Sequence, residues 1–126
     1  MPIANSELII NPDGSIYHLK LRPRQLADTV ITVGDPERVN EVSKHFDVIE
    51  LKVAKREFNT HTGIYKNKRI SVISTGIGTD NIDIVFNELD ALVNVDFQTR
   101  EVKKDLKSLD IIRIGTSGAV QNDIPI

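Results

Sequence analysis

The chain has 126 residues, with 16 basic against 18 acidic side chains for a formal net charge of −2. That balance excludes an electrostatic grip on duplex nucleic acid or on an anionic membrane surface. Leu, Ile, Val and Phe make up 42 residues, too many for a disordered segment and enough for one domain with a buried core. There is no cysteine, which excludes a disulfide framework and thiolate metal ligation. No basic leader precedes the short apolar patch near the N-terminus, and no apolar run approaches the length of a membrane span. The expectation is a cytoplasmic protein with no membrane or nucleic-acid partner.

Ile and Val together number 29 against 14 for Ala and Leu, a composition that leans toward strands. In chain order, Asn11-Pro12-Asp13-Gly14 reads as a turn, and residues 1–16 as an N-terminal arm whose order depends on a partner. Thr29-Val30-Ile31-Thr32-Val33 is a β-branched apolar run that stops at Gly34-Asp35-Pro36, a buried strand entering a helix with Asp35 as N-cap and Pro36 at its first position. Val39, Val42 and Phe46 give that helix one narrow apolar stripe.

Residues 48–58 and 62–65 read as strands, with His61 in a turn between them. Lys66-Asn67-Lys68 is a tight turn before a third β-branched run, 69–74. That run breaks at Thr75-Gly76-Ile77-Gly78-Thr79-Asp80. Ile82, Val85, Phe86, Leu89, Leu92 and Val93 then recur at helical spacing, a core-facing stripe with Asp80 as N-cap. Residues 94–109 are charge-rich and read as a solvated insertion with some helix. A last strand over 110–114 runs into Gly115-Thr116-Ser117-Gly118. Strands alternating with helices predict an α/β domain with a largely parallel sheet.

Three strands thus end at glycine turns: Gly34, Gly76 with Gly78, and Gly115 with Gly118. In open α/β sheets ligands sit outside the carboxyl ends of strands, where backbone N–H groups and helix N-termini point at them. Arg38, Arg113, Thr116 and Ser117 add guanidinium and hydroxyl donors beside these turns, the donor set a phosphate oxyanion requires. Arg113 is the most informative, because it interrupts the apolar run Ile111-Ile112-Arg113-Ile114 and must be paired or face a cleft. A dinucleotide fingerprint fails, since Asn81 stands where Gly76-Ile77-Gly78 would need its third glycine, and no Walker lysine pattern exists. His18, His45 and His61 are too scattered for a metal centre.

Four of these runs in register resemble a known family. Gly34-Asp35-Pro36-Glu37-Arg38-Val39, Arg56-Glu57-Phe58, Ser74-Thr75-Gly76-Ile77-Gly78 and Ile112-Arg113-Ile114-Gly115-Thr116-Ser117-Gly118-Ala119 look like the successive motifs of nucleoside phosphorylases of the uridine phosphorylase and hexameric purine nucleoside phosphorylase type. The resemblance implies a three-layer α/β fold with a central mixed sheet. Residues 17–126 would be its N-terminal half, and the residues that read the base and the ribose hydroxyls lie further on in the family.

It implies that Gly34, Arg38, Arg113 and Thr116 hold inorganic phosphate as co-substrate, that Arg56 reaches the phosphate of a neighbouring subunit, and that Thr116, Ser117 and Gly118 border the nucleoside. His18 matches a histidine that contacts the ribose 5′-hydroxyl across a dimer interface. Glu57 matches a residue that in some members helps bind a monovalent cation between subunits, although a serine of that site is replaced here by Asn81. No organic cofactor is implied, and the partners are nucleoside, phosphate and further copies in a dimer-based oligomer, a hexamer in the family. The implied reaction is reversible phosphorolysis to base and pentose 1-phosphate, uridine favoured, with Arg113 as the catalytic residue. The competing readings are a nucleoside hydrolase of the same fold and a non-catalytic phosphate-binding module.

Overall fold

The computed structural model describes residues 1–125. β1 (Thr29–Val33) forms where the sequence predicts it, and its alternation decides the layering. Val30 faces a cluster containing Phe58, Ile73, Val85, Leu89 and Leu92, whereas Val33 faces the opposite cluster with Val39 and Val72. Strand side chains alternate between faces, so one strand buries both of its sides. α1 (Arg38–Ser43) covers one face through Val39, with Val42 and Phe46 beside it. α2 (Thr79–Asn94) covers the other through Val85, Leu89 and Leu92. The sheet between two helices makes three layers.

β2 (Val48–Lys55), β3 (Phe58–Tyr65) and β4 (Lys68–Ser74) form an antiparallel meander, and the sheet order is β2-β3-β4-β1-β7, with β7 at Asp110–Arg113. β1 runs parallel to both β4 and β7. The sheet is therefore mixed and not largely parallel, because two tight reversals in succession leave no room for crossover helices. At the second reversal Lys66 and Asn67 both have positive φ, 46° and 66°, the two-residue hairpin geometry that suits strand twist.

The first reversal differs from the sequence reading, which carries the strand through Phe58. Lys55 pairs directly with Phe58, so the turn is Arg56-Glu57, with Arg56 in the left-handed region at φ 54°. Neither residue is a turn former, and burial of the Phe58 ring at the start of β3 places the reversal. His61 accordingly lies inside β3 and not in a turn. It is 4% exposed, with Nδ1 2.8 Å from the Ser43 hydroxyl of α1.

Both helix starts fall elsewhere than the cap residues suggest. Asp35 Oδ1 accepts the Glu37 N–H at 2.9 Å, which closes a local turn and delays α1 to Arg38. Gly78 caps α2 with φ 103° and ψ 159°, a region open essentially to glycine alone. Asp80 sits in the first turn instead, where its charge complements the helix dipole. Phe86, expected in the core stripe, is 38% exposed, because the buried stripe runs through Val85, Leu89 and Leu92.

Beyond Asn94, the last residue of α2, the stretch 95–109 adds no further helix and instead makes a small hairpin of β5 (Val95–Asp96) and β6 (Glu101–Val102). That hairpin organises the N-terminal arm. Arg100 donates through Nε to the Ile3 carbonyl at 2.8 Å and through Nη2 to the carbonyls of Ala4 and Leu8, while its own carbonyl accepts the Ile3 N–H at 2.7 Å. Leu8 and Ile16 of the arm, with Leu19, Leu21 and Leu26 just beyond it, then enter the main core, each worth about 1.5–3 kcal/mol of burial. The arm is therefore held by this chain's own residues, contrary to the expectation of partner-dependent order. Asn11-Pro12-Asp13-Gly14 does form its turn, with Asp13 Oδ1 accepting the N–H and hydroxyl of Ser15 at 3.0 and 2.6 Å. These bonds hold the Asp13 carboxyl below its ordinary range.

Two outcomes follow. Arg100→Ala removes three carbonyl contacts at once, and limited proteolysis should then cut before residue 10 at least tenfold faster, the rest of the chain staying resistant. Burial, with Lys52 as the cross-strand neighbour adding to it, pushes the His61 imidazole below the ordinary histidine value of about 6.5. The unfolded chain therefore takes up this proton before the folded one, and stability falls as pH drops below about 6.5 toward the depressed folded value. Thermal melts across that window should show this slope, and His61→Gln should flatten it.

Candidate functional site

The carboxyl ends of β1, β4 and β7 meet along one sheet edge, because β1 pairs parallel with both neighbours: Val33 lies beside Ser74 and Thr32 beside Arg113. The ladder continues into the turns. Thr75 N–H donates to the Val33 carbonyl at 2.8 Å, Gly76 N–H to the Gly34 carbonyl at 2.9 Å, and Ile114 N–H to the Thr32 carbonyl at 2.9 Å. Beyond them opens a cavity of about 650 Å³ lined by Gly34, Arg38, Glu57, Gly76, Arg113 and Thr116, with Asp35, Pro36, Ile77 and Asn81 completing the wall.

Each lining group is placed by an identifiable local cause. Arg38 opens α1, one turn past Gly34. Glu57 arrives from the β2–β3 reversal, whose backbone is tied to β4: the Ser74 hydroxyl donates to the Glu57 carbonyl at 2.6 Å and accepts the Asn59 N–H at 2.8 Å. Gly76 has φ 72°, and a Cβ there would lie 2.8 Å from both Asn81 Nδ2 and Glu57 Cγ. Only glycine fits that corner. At Gly115 the Arg113 guanidinium folds back so closely that a Cβ would sit 3.2 Å from Nη2.

The cavity mixes charge. Arg38 and Arg113 supply two guanidinium groups, neither of them in an ion pair among the described residues, while Asp35 and Glu57 supply carboxylates. Such a floor can bind an oxyanion through fork-shaped donors and tolerate positive charge nearby. Within this chain β7 stands at one end of the sheet, with Ile112 53% exposed. Arg113 at its end faces the cleft that an arginine in an apolar run calls for.

The remaining sequence candidates lie outside this lining. Arg56 is exposed at the tip of the same reversal that turns Glu57 inward. Ser117 and Gly118 are exposed and do not line the cavity. His18 borders a separate cavity of about 450 Å³ between the N-terminal segment and α2. There Glu88 of α2 accepts hydrogen bonds from the N–H groups of His18 and Leu19 and lies 2.9 Å from His18 Nδ1. Sequence reasoning passes over Glu88. It is seventy residues from its partner, and nothing local distinguishes it from a solvated helix carboxylate.

Comparison with known proteins agrees with this architecture. Residues 28–126 match the family model of the phosphorylase superfamily, and the chain belongs to that superfamily. It is 38% identical over 114 residues to a uridine phosphorylase of Thermococcus kodakarensis, covering 90% of this chain and 36% of that protein. It is 34% identical over 110 residues to a DeoD-type purine nucleoside phosphorylase of Oceanobacillus iheyensis, covering 86% of this chain and 41% of that one. Among solved structures, the nucleoside phosphorylase of Trypanosoma brucei, described as showing uridine phosphorylase activity, superposes with a TM-score of 0.84 at 39% identity. That match covers 94% of this chain and 41% of the other. The chain thus spans about two fifths of the length of these relatives.

Gly76→Ala should lower stability by about 1–3 kcal/mol, from the positive φ and the crowding at Glu57 and Asn81. Gly118→Ala, where a Cβ meets open space, should stay within about 0.5 kcal/mol. Denaturant midpoints of the two variants check the contrast.

Proposed function

We propose that this chain forms the phosphate-binding half of a nucleoside phosphorylase site, acting on uridine in preference to purine nucleosides. The observation that carries the reading is the convergence of Arg38 and Arg113 on one cavity floored by strand-end turns. Phosphate is held there by both guanidinium groups, by the Thr116 hydroxyl and by backbone N–H groups near Gly34. One of its oxygens attacks C1′ of the nucleoside as the C1′–N bond breaks. The bond electrons leave with the base, which takes up a proton, and the product sugar carries phosphate at C1′. The anion stays under the oxocarbenium-like centre throughout, so the residues act by positioning and by electrostatic stabilisation. Uridine is favoured by the run Arg113-Ile114-Gly115-Thr116-Ser117-Gly118 and by the Thermococcus and Trypanosoma similarities.

The same reading makes the working unit an oligomer in the cytoplasm. Arg56 stands exposed on the hairpin tip and His18 borders a different cavity from its own chain's arginines. Both residues then complete the site of a neighbouring copy, Arg56 at phosphate and His18 at the ribose 5′-hydroxyl, with Ser117 and Gly118 beside the nucleoside. Glu57 would lend its carboxylate to a monovalent cation shared with the neighbouring copy, at a site where Asn81 stands in place of a serine.

Arg113→Ala in the active protein should lower kcat/KM for phosphorolysis by about 100-fold or more, with the loss appearing in the dependence on phosphate. Base release at an equal rate with and without phosphate would instead indicate a hydrolase. Retained phosphate binding with no affinity for nucleoside would indicate a binding module.

A further inference from the structure

We infer that Glu88 is the positioning residue for His18 and that it acts by fixing which imidazole nitrogen is presented to ligand. The inference rests on the proposed role of His18 toward a ribose hydroxyl, but its structural half stands on the geometry alone.

The Glu88 carboxylate is 12% exposed and receives the backbone N–H groups of both His18 and Leu19. His18 N–H reaches its two oxygens at 3.0 and 3.1 Å, Leu19 N–H reaches Oε1 at 2.8 Å, and His18 Nδ1 lies 2.9 Å from Oε2. An ionised carboxylate can only accept, so Nδ1 must carry hydrogen. Nε2 is then the nitrogen left for ligand, and on a neutral ring it is a lone-pair acceptor suited to a hydroxyl. Glu88 itself is carried by α2 between Val85 and Leu89, both buried in the main core, which gives it a rigid base.

The ring cannot easily turn away from this arrangement. Tyr17 packs edge-on against the imidazole at 4.8 Å between centroids, and Phe58 does so from β3 at 6.3 Å. Lys55 Nζ donates to the Tyr17 carbonyl at 2.5 Å and sits 4.0 Å from the centre of the Tyr17 ring. Leu19 is fully buried and anchors the corner from below. A side chain held on three sides, with one nitrogen assigned and 26% of its surface open, is a pre-organised hydrogen-bond acceptor.

Glu88 also braces backbone N–H groups, so the test must separate positioning from simple structural support. Imidazole ¹⁵N shifts of His18 at about pH 8, where an ordinary imidazole is neutral, should show the Nδ1–H form in the unaltered chain. They should show a mixture or the Nε2–H form in Glu88→Gln, whose amide can donate to Nδ1. A predominant Nε2–H form in the unaltered chain would overturn the assignment, and this readout needs no activity. In the phosphorolytically active protein, Glu88→Gln should raise KM for a 5′-hydroxyl nucleoside about tenfold, the size of one lost hydrogen bond. The same variant should change KM for the 5′-deoxy analogue less than twofold, and His18→Ala combined with it should add nothing further. Equal losses on both substrates, or additive losses in the double variant, would reduce Glu88 to a structural brace and sink the inference. Absence of phosphorolysis in the unaltered protein would refute the functional reading while the ¹⁵N result still decides the tautomer.

Discussion

The parallel pairing of β1 with β4 on one side and β7 on the other is the constraint on which the rest of the molecule depends. Parallel neighbours end on the same edge, so three chain segments widely separated in sequence deliver their glycine turns to one place. The pairing is locked by burial on both faces of β1. Val30 points toward α2 and Val33 toward α1, and a slip of one residue would exchange the two faces. A cleft built on such a strand inherits its rigidity, which a loop-only site would lack.

The hairpin tip between β2 and β3 shows how little sequence is needed to divide two charges between two environments. Arg56 takes a left-handed backbone and stays in solvent, whereas Glu57 turns into the cavity beside Gly76 and Asn81. Ser74 ties the Glu57 and Asn59 backbone to β4, so the tip is part of the sheet edge and not a free loop. The N-terminal segment is bound in a comparable way, by Arg100 from the small hairpin and by Glu88 from α2. Both contacts satisfy backbone groups that would otherwise compete for water. The segment's five core residues explain why so much polar bonding converges on it.

Much of the cleft was legible from sequence because its parts are local. A β-branched run ending in glycine announces a strand and its turn together, and an arginine in an apolar run announces a cleft. Gly34 and Arg113 stand out on those grounds, Arg38 and Thr116 as donors beside the glycine turns, and all four line one cavity. The failures share a different character. The Arg56-Glu57 reversal, the buried His61, the exposed Phe86 and the anchoring of the arm each depend on what packs across from the residue. Local propensity cannot carry that information.

The successions β1 to α1 and β4 to α2, the three glycine turns and the chemistry of the donors near them are determined by the sequence itself, since each rests on neighbours a few positions apart. The tertiary structure alone decided which side of the hairpin tip each charge takes, which face of α2 is core, and that a helix carboxylate seventy residues away meets the His18 corner. These outcomes are set by long-range burial and by the need to satisfy buried backbone donors. Such terms exist only once the sheet has brought distant segments together.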